Sequence, residues 1–409
     1  MTLSETLRRP SLPAPAQLSP KLDRAVAIAL AAYGFFLPFS VAGTNIILGV
    51  LVVLACVCAG PLWRSRPWRE PVMAVGLVLL AWIVVHTVLV DGPGHLRSPT
   101  FSYKELLVAP LLLALFRLCS RPDWFLRALV AGTFAWAAFN WQGVWSAHMA
   151  DVLNPSRISA GFEFALLAYL LLEFGRHATH PWRLRLAAAF LAITVLFAMD
   201  GRTGQLVLLV LLALAAWMHS PPRWRVAALV LVPLLVGGLA LGSGTVQRRM
   251  AETVEAVQHP AVAPVTSTEI RLEFVHHGLT LAREHWLLGA GYTHYADLLQ
   301  DAVRRAYADD PARRDLWKVF WARTPNPHDE YVMQLVSGGV VSLALFVAWL
   351  ATPVLRRAPD GGRSPALLGA VLAFALGCLV NSLLMDFVEA HYYTALLAWL
   401  LARDAAPRA

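Results

Sequence analysis

Charged side chains are scarce in this 409-residue sequence: Asp, Glu, Lys and Arg make up 15% of it and hydrophobic residues 58%, whereas an ordinary soluble domain is roughly a quarter charged. Because the apolar residues come in long uninterrupted runs, that scarcity excludes a soluble globular protein. Cysteine is almost absent. Cys56, Cys58, Cys119 and Cys378 all fall within apolar runs and the long polar segment has none, so neither a disulfide framework nor a zinc site is suggested. Cys56 and Cys58, two apart, sit on different sides of a helix and read as small core or lipid-facing residues. Asp-x-Asp, His-x-x-x-His and a Walker loop are also missing, which disfavours metal-dependent and nucleoside-triphosphate mechanisms. No internal repeat and no matched pair of Gly/Pro-broken spans is evident, which weighs against a transporter. The proline-rich first twenty residues lack the apolar centre of a cleavable signal peptide and are expected to be a disordered cytoplasmic lead.

What is present is a succession of membrane-length apolar segments, so the expected fold class is an all-α polytopic membrane protein. A window of about 19 residues gives twelve spans. They start near Arg24, Val41, Pro71, Tyr103, Asp123, Ser159, Trp182, Thr203, Trp224, Asp329, Pro365 and His391. The expected organisation is a disordered N-terminus (1–22), nine spans in 23–242, a long outer loop with amphipathic helices (243–327), three spans in 328–403 and a short tail (404–409).

Charge orients the bundle. One set of alternate short connections carries 20 basic residues and the other only four, namely Arg97, Lys104, Arg157 and Arg202. By the positive-inside rule both termini are then cytoplasmic and the long loop is on the outer side. The net charge of +8 mainly reflects this topology. It does not indicate nucleic acid, because no basic stripe on a soluble face carries interleaved aromatics.

The outer loop is too rich in helical signals to be a plain connector. Thr266-x-x-Glu269 has the form of a capping box. The helix it opens has Ile270, Phe274, Leu281 and Trp286 at apolar positions and Arg271 in its first turns. A second amphipathic stretch, 294–308, follows the flexible turn Gly289-Ala-Gly291. These pieces are expected to lie along the membrane surface and roof a cavity between the spans. His276, His277, His285 and His294 lack ligand spacing and read as surface residues. Trp141, Trp145 and Trp286 suit interfacial anchors.

The loop ends in Thr324-Pro-Asn-Pro-His328-Asp329-Glu330-Tyr331, which opens into a membrane-length run. Asn326 suits an N-cap and Pro327 the first helical position, which places His328 and Asp329 in the first turn. The positive end of the helix dipole disfavours an imidazolium there and keeps His328 available as a proton acceptor. Polar residues at membrane depth are costly and usually have a purpose. On the predicted outer side they are Arg157, Arg202, Arg271, His328 and Asp386, with Glu163 and the Lys104-Glu105 pair reading as structural partners. Guanidinium groups fork onto phosphate oxygens, so arginines sharing one cavity suit a phosphate ester. Asp386 either orients His328 or pairs with an arginine.

Together these motifs resemble the O-antigen ligase and polymerase superfamily of bacterial envelopes. The carriers are Arg157 in Ser-Arg-Ile-Ser-Ala-Gly161, Asp-Gly-Arg202-Thr-Gly-Gln-Leu206, Arg271 in Thr-Glu-Ile-Arg-Leu-Glu-Phe274, Gly289-Ala-Gly291, and Pro-His328-Asp-Glu-Tyr followed by Ser337-Gly-Gly-Val340. Arg202 follows Met-Asp-Gly here, where the family usually has a serine-rich stretch. The resemblance implies a glycosyltransferase-C-like enzyme of the inner membrane with no cofactor. Its donor would be an undecaprenyl-diphosphate-linked glycan and its acceptor the lipid A-core oligosaccharide, on the periplasmic face. It further implies that Arg202 and Arg271 engage the diphosphate, that His328 is catalytic and that Asp386 is a further functional residue; Arg157 is grouped with the diphosphate arginines, its contact being with either donor or acceptor. The rivals are an O-antigen polymerase, a protein-glycosylating relative and a transporter of an anionic lipid or solute. A single long outer loop late in the chain favours the ligase over the polymerase.

Overall fold

The computed structural model describes residues 18–145, 157–199, 201–242, 267–311, 326–357 and 362–405, with a few isolated positions in 244–254 and 314–315. The side chains of 142–145, 157–158, 240, 267–269, 272 and 405 lie outside that description. So do Asp200, Thr266 and the whole run from 146 to 156, and with them the expected capping box.

Every regular element among the described residues is a helix. The bundle segments are α1 (Pro20–Phe36), α2 (Val41–Val57), α3 (Pro71–Val90), α4 (Glu105–Leu118), α5 (Asp123–Trp145), α6 (Arg157–Gly175), α7 (Pro181–Phe197), α8 (Arg202–His219) and α9 (Arg225–Leu241). Two helices, α10 (Ser267–His285) and α11 (Tyr295–Ala306), belong to the loop. The chain then continues through α12 (Glu330–Leu355), α13 (Pro365–Cys378) and α14 (Phe387–Ala405). Each expected span corresponds to a helix, the largest offsets being Pro20 for Arg24 and Phe387 for His391.

Among the described residues, length and apolarity alone mark four segments as able to cross a membrane, or five if the bent pair 41–57 and 59–69 is one span, rather than twelve. Two of the other helices are short for a span. The 14 residues of α4 and of α13 extend about 21 Å at 1.5 Å per residue, against a hydrocarbon core of about 30 Å. Such helices suit a bundle whose short members are sheltered by longer ones.

Helices α6 and α14 form the centre, apolar and buried nearly all round. Helices α7 and α8 pack on α6, α14 packs on α4, and α12 packs on α3. By contrast, α9 exposes Leu229, Val230, Leu231, Leu234 and Leu235, as a lipid-facing helix would. Cys56 is exposed on α2, while Cys58, Cys119 and Cys378 are buried and unpaired.

The loop helices form a second apolar cluster on the first turns of α12, joining Phe274 and Leu281 of α10, Tyr295, Leu299 and Val303 of α11, and Val332, Met333 and Val336 of α12. Trp286 is not part of the apolar face of α10: it lies beyond the helix end and is exposed. Nor is His277 a surface residue. It is buried 3.1 Å from Glu273, with its ring edge-on to Tyr307. Trp141, half-buried, donates a hydrogen bond to Thr194 Oγ1 at 2.9 Å.

Candidate active site

The helix that follows His328 begins three residues later than the Asn-Pro signal suggests. Asp329 is its N-cap, with its side chain accepting from Val332 N at 3.0 Å, and Glu330 is the first helical residue. Asn326 instead accepts from the His328 backbone N–H at 3.0 Å, closing a turn before the helix. His328 sits in that turn with φ of +52°, a left-handed conformation that costs a non-glycine residue about 1 kcal/mol. The stronger cap displaced the weaker one because the Asp329 carboxylate meets the helix dipole directly. His328 therefore stands just outside the helix.

Its ring is held from the turn between two other helices. Asn381, 5% exposed in the turn between α13 and α14, places its amide oxygen 2.8 Å from His328 Nδ1, and its amide nitrogen donates to Asp386 Oδ2 at 2.8 Å. An ionised carboxylate only accepts, so the amide nitrogen must face Asp386 and the amide oxygen must face His328. Nδ1 then carries the hydrogen, and Nε2 keeps the lone pair that a proton acceptor needs. Burial pushes the Asp386 carboxyl up to about 6, so it is still an anion at neutral pH. Burial also lowers the His328 imidazole from its ordinary 6.5, the Asn381 bond raises it, and the nearby Arg271 charge lowers it. The net direction favours the neutral base.

Arg271 and Phe274 share a face of α10 at i, i+3 spacing, and Phe274 lies 5.5 Å from the His328 ring between centroids. This one helix thus brings a cation and a water-excluding aromatic to the imidazole. The other two arginines come from a different pair of helices. Arg157 starts α6 and Arg202 starts α8, and the two helix starts touch through Gly161 and Gly204. A Cβ on Gly204 would lie 2.4 Å from the Gly161 carbonyl carbon. Two motifs forty residues apart in sequence therefore bring adjacent helix N-termini together, an arrangement that attracts anions. The Arg157 side chain is outside the described residues.

A buried hydrogen bond links the two halves of the site. Ser159 Oγ donates to Glu389 Oε1 at 2.6 Å, which ties the first turn of α6 to the first turn of α14, immediately after Asp386. Thus Arg157, Arg202, His328 and Asp386 all belong to one end of the bundle, and α10 covers it with Arg271. Asp386 reaches the histidine through Asn381, which was not among the expected site residues. Its signal was Asn381-Ser382 interrupting an apolar run. Glu163 is wholly buried with no hydrogen-bond partner on either carboxyl oxygen, one helical turn from Ser159, so it is no ion-pair partner among the described side chains. Glu105 pairs with Lys104 at 3.0 Å and approaches His391 at 3.1 Å, in keeping with a structural role.

Residues 187–347 match the family model described as O-antigen ligase. That match, over less than half of the chain, supports membership of the O-antigen ligase superfamily. The matched span runs from α7 through the broken portion of α12 and so takes in Arg202, Arg271 and His328, while Asn381 and Asp386 lie beyond it. None of the curated proteins matches the chain. Members of that superfamily are O-antigen ligases and polymerases, glycosyltransferase-like enzymes of lipopolysaccharide synthesis, and the apolar helices of this chain are those of a membrane protein.

Proposed function

We propose that this superfamily member is an O-antigen ligase of the bacterial inner membrane. It transfers a glycan from undecaprenyl diphosphate to the lipid A-core oligosaccharide at the periplasmic face, with both termini in the cytoplasm. The observation that carries the reading is the His328–Asn381–Asp386 chain beside Arg271, a neutral base fixed in one tautomer next to a permanent cation. A sugar diphosphate already has a good leaving group. The enzyme has only to position the acceptor, take one proton and hold the departing charge.

In this mechanism the acceptor hydroxyl oxygen attacks the anomeric carbon as its proton passes to His328 Nε2. The bond from the anomeric carbon to the diphosphate oxygen breaks, and its electron pair leaves on undecaprenyl diphosphate. A single displacement inverts the anomeric configuration. Arg202, Arg271 and Arg157 stabilise the diphosphate as its charge grows, so neither a metal nor a nucleotide has a step to perform. The ligase is favoured over the polymerase by the single long polar segment late in the sequence, whose helices α10 and α11 gather on the first turns of α12.

The test is purified protein in vesicles with a lipid-linked glycan, offered lipid A-core or a second lipid-linked glycan in the presence of chelator. Glycosylated lipid A-core is the expected product. A lengthened lipid-linked glycan would mean a polymerase, and flux without covalent product a carrier. Removing a general base costs about 10²–10⁴-fold, so normal turnover by His328→Ala refutes the mechanism, as does complete loss of activity in chelator.

A further inference from the structure

Helix α12 is broken: Gly339 has φ of +69° and ψ of −169°, far from helical values. Backbone groups released by such a break need partners, above all at membrane depth. The partners come from the segment that follows α10. Ala290 N donates to Val336 O at 2.8 Å, Gly291 N to Ser337 O at 3.0 Å, and Val340 N to Trp286 O at 2.7 Å. The contact is too close for side chains, since a Cβ on Gly289 would lie 2.3 Å from Ser337 O and one on Gly339 2.4 Å from Leu287 O. The Gly289-Ala-Gly291 and Ser337-Gly-Gly-Val340 motifs are thus two halves of one joint.

A third element holds that joint. Trp82 Nε1 on α3 donates to Gly338 O at 3.1 Å, and His86 Nε2 lies 2.6 Å from Leu288 O. At the end of α3, Asp91 Oδ2 accepts from Tyr292 N at 3.0 Å and from Thr293 N at 3.3 Å, and its Oδ1 lies 3.1 Å from His294 Nδ1. The Tyr292 hydroxyl closes the ring against Ser342 at 2.5 Å and Gln334 at 3.3 Å. These bonds tie together the segment after α10, which carries Arg271, the break in α12, which His328 precedes, and α3.

We infer that Trp82, His86 and Asp91 are positioning residues for glycosyl transfer: from α3 they clasp the segment after α10 onto the break in α12, and so fix Arg271 in register with His328. The inference rests on the function proposed above. None of the three need touch substrate. They fix where the diphosphate-binding cation stands relative to the base, a separation to which transfer is steeply sensitive.

The test compares Asp91→Ala, Asp91→Asn and Trp82→Phe with the wild-type protein, each checked for monodisperse elution. Asp91→Ala removes the acceptor for two backbone N–H groups, whereas Asp91→Asn keeps an oxygen that can accept them. Trp82→Phe keeps the bulk and removes a single donor. Expected for Asp91→Ala is a fall in kcat of about tenfold or more with a much smaller change in donor KM, and Asp91→Asn restores most of it. Independently of activity, spin labels on the exposed Leu279 of α10 and Val341 of α12 report the joint. Their distance distribution is narrow in the wild type, broad in Asp91→Ala and narrow again in Asp91→Asn. Unchanged distances and turnover in both Asp91→Ala and Trp82→Phe overturn the inference, and Trp82→Phe decides it if Asp91→Ala does not fold. Wild-type protein without transferase activity refutes the function above, and the distances alone then decide the clasp.

Discussion

Replacing Asn381 by Ala removes two hydrogen bonds at once, the 2.8 Å contact to His328 Nδ1 and the 2.8 Å contact to Asp386 Oδ2. Only the first holds the imidazole directly. A neutral buried hydrogen bond contributes about 1 kcal/mol and one linked to a charge about 1.5–3, and each 1.36 kcal/mol is tenfold in rate. Losing the bias toward the productive tautomer and rotamer therefore slows turnover about tenfold, and about a hundredfold if the ring also drifts by about 1 Å. The pH profile carries a separate signature. Activity needs neutral His328, so the rate falls as pH drops through the folded-state pKa, which burial keeps below 6.5. The Asn381 bond raises that pKa, so its removal moves the acid limb further down while the plateau falls. Initial rates of glycan transfer at saturating donor, between about pH 5 and 8, measure both effects. A plateau within about twofold of wild type together with an unmoved limb would refute the orienting role of the amide.

Arg271 acts on His328 in the opposite sense. Its charge lowers the imidazole pKa, so Arg271→Gln shifts the acid limb upward toward 6.5 while weakening donor binding, as the same pH series and a donor titration will reveal. Gly204→Ala places a Cβ 2.4 Å from the Gly161 carbonyl carbon, whereas Gly161→Ala meets nothing closer than 3.3 Å. Overpacking of that kind costs about 1–3 kcal/mol; thermal unfolding in detergent is expected to show a clear loss for Gly204→Ala and a smaller one for Gly161→Ala. Ser159→Ala leaves the buried Glu389 without its 2.6 Å donor, a loss of about 1–3 kcal/mol that the same melts will detect, with Ser159→Thr restoring most of it.

Much of the site could be read in the chain because its parts are polar residues in apolar surroundings, where their cost makes them conspicuous. Arg157, Arg202, Arg271, His328 and Asp386 all stood out for that reason, and the charge bias of the short connections put them on one side. Helix positions were legible from apolar runs, which is why each expected span has its helix. Three things were not. The Asn-Pro pair pointed to a helix start at Asn326, but local signals compete, and the Asp329 carboxylate prevailed through its bond to Val332 N. Asn381 carries no charge and so gave only a faint signal, although it is the link between His328 and Asp386. His277 belonged by spacing to a surface series, yet tertiary packing buried it beside Glu273.

The sequence by itself determined an all-helical membrane protein with a polar segment late in the chain and a small set of charged residues at one end, since burial cost and helical periodicity act locally. Pairings between distant segments were decided by the tertiary structure alone. Gly161 meets Gly204, Gly289 meets Ser337 and Gly339, and Asn381 meets His328, contacts that depend on how helices cross and on backbone approaches no Cβ would allow. Periodicity states which face of a helix is apolar and never which other helix it will meet.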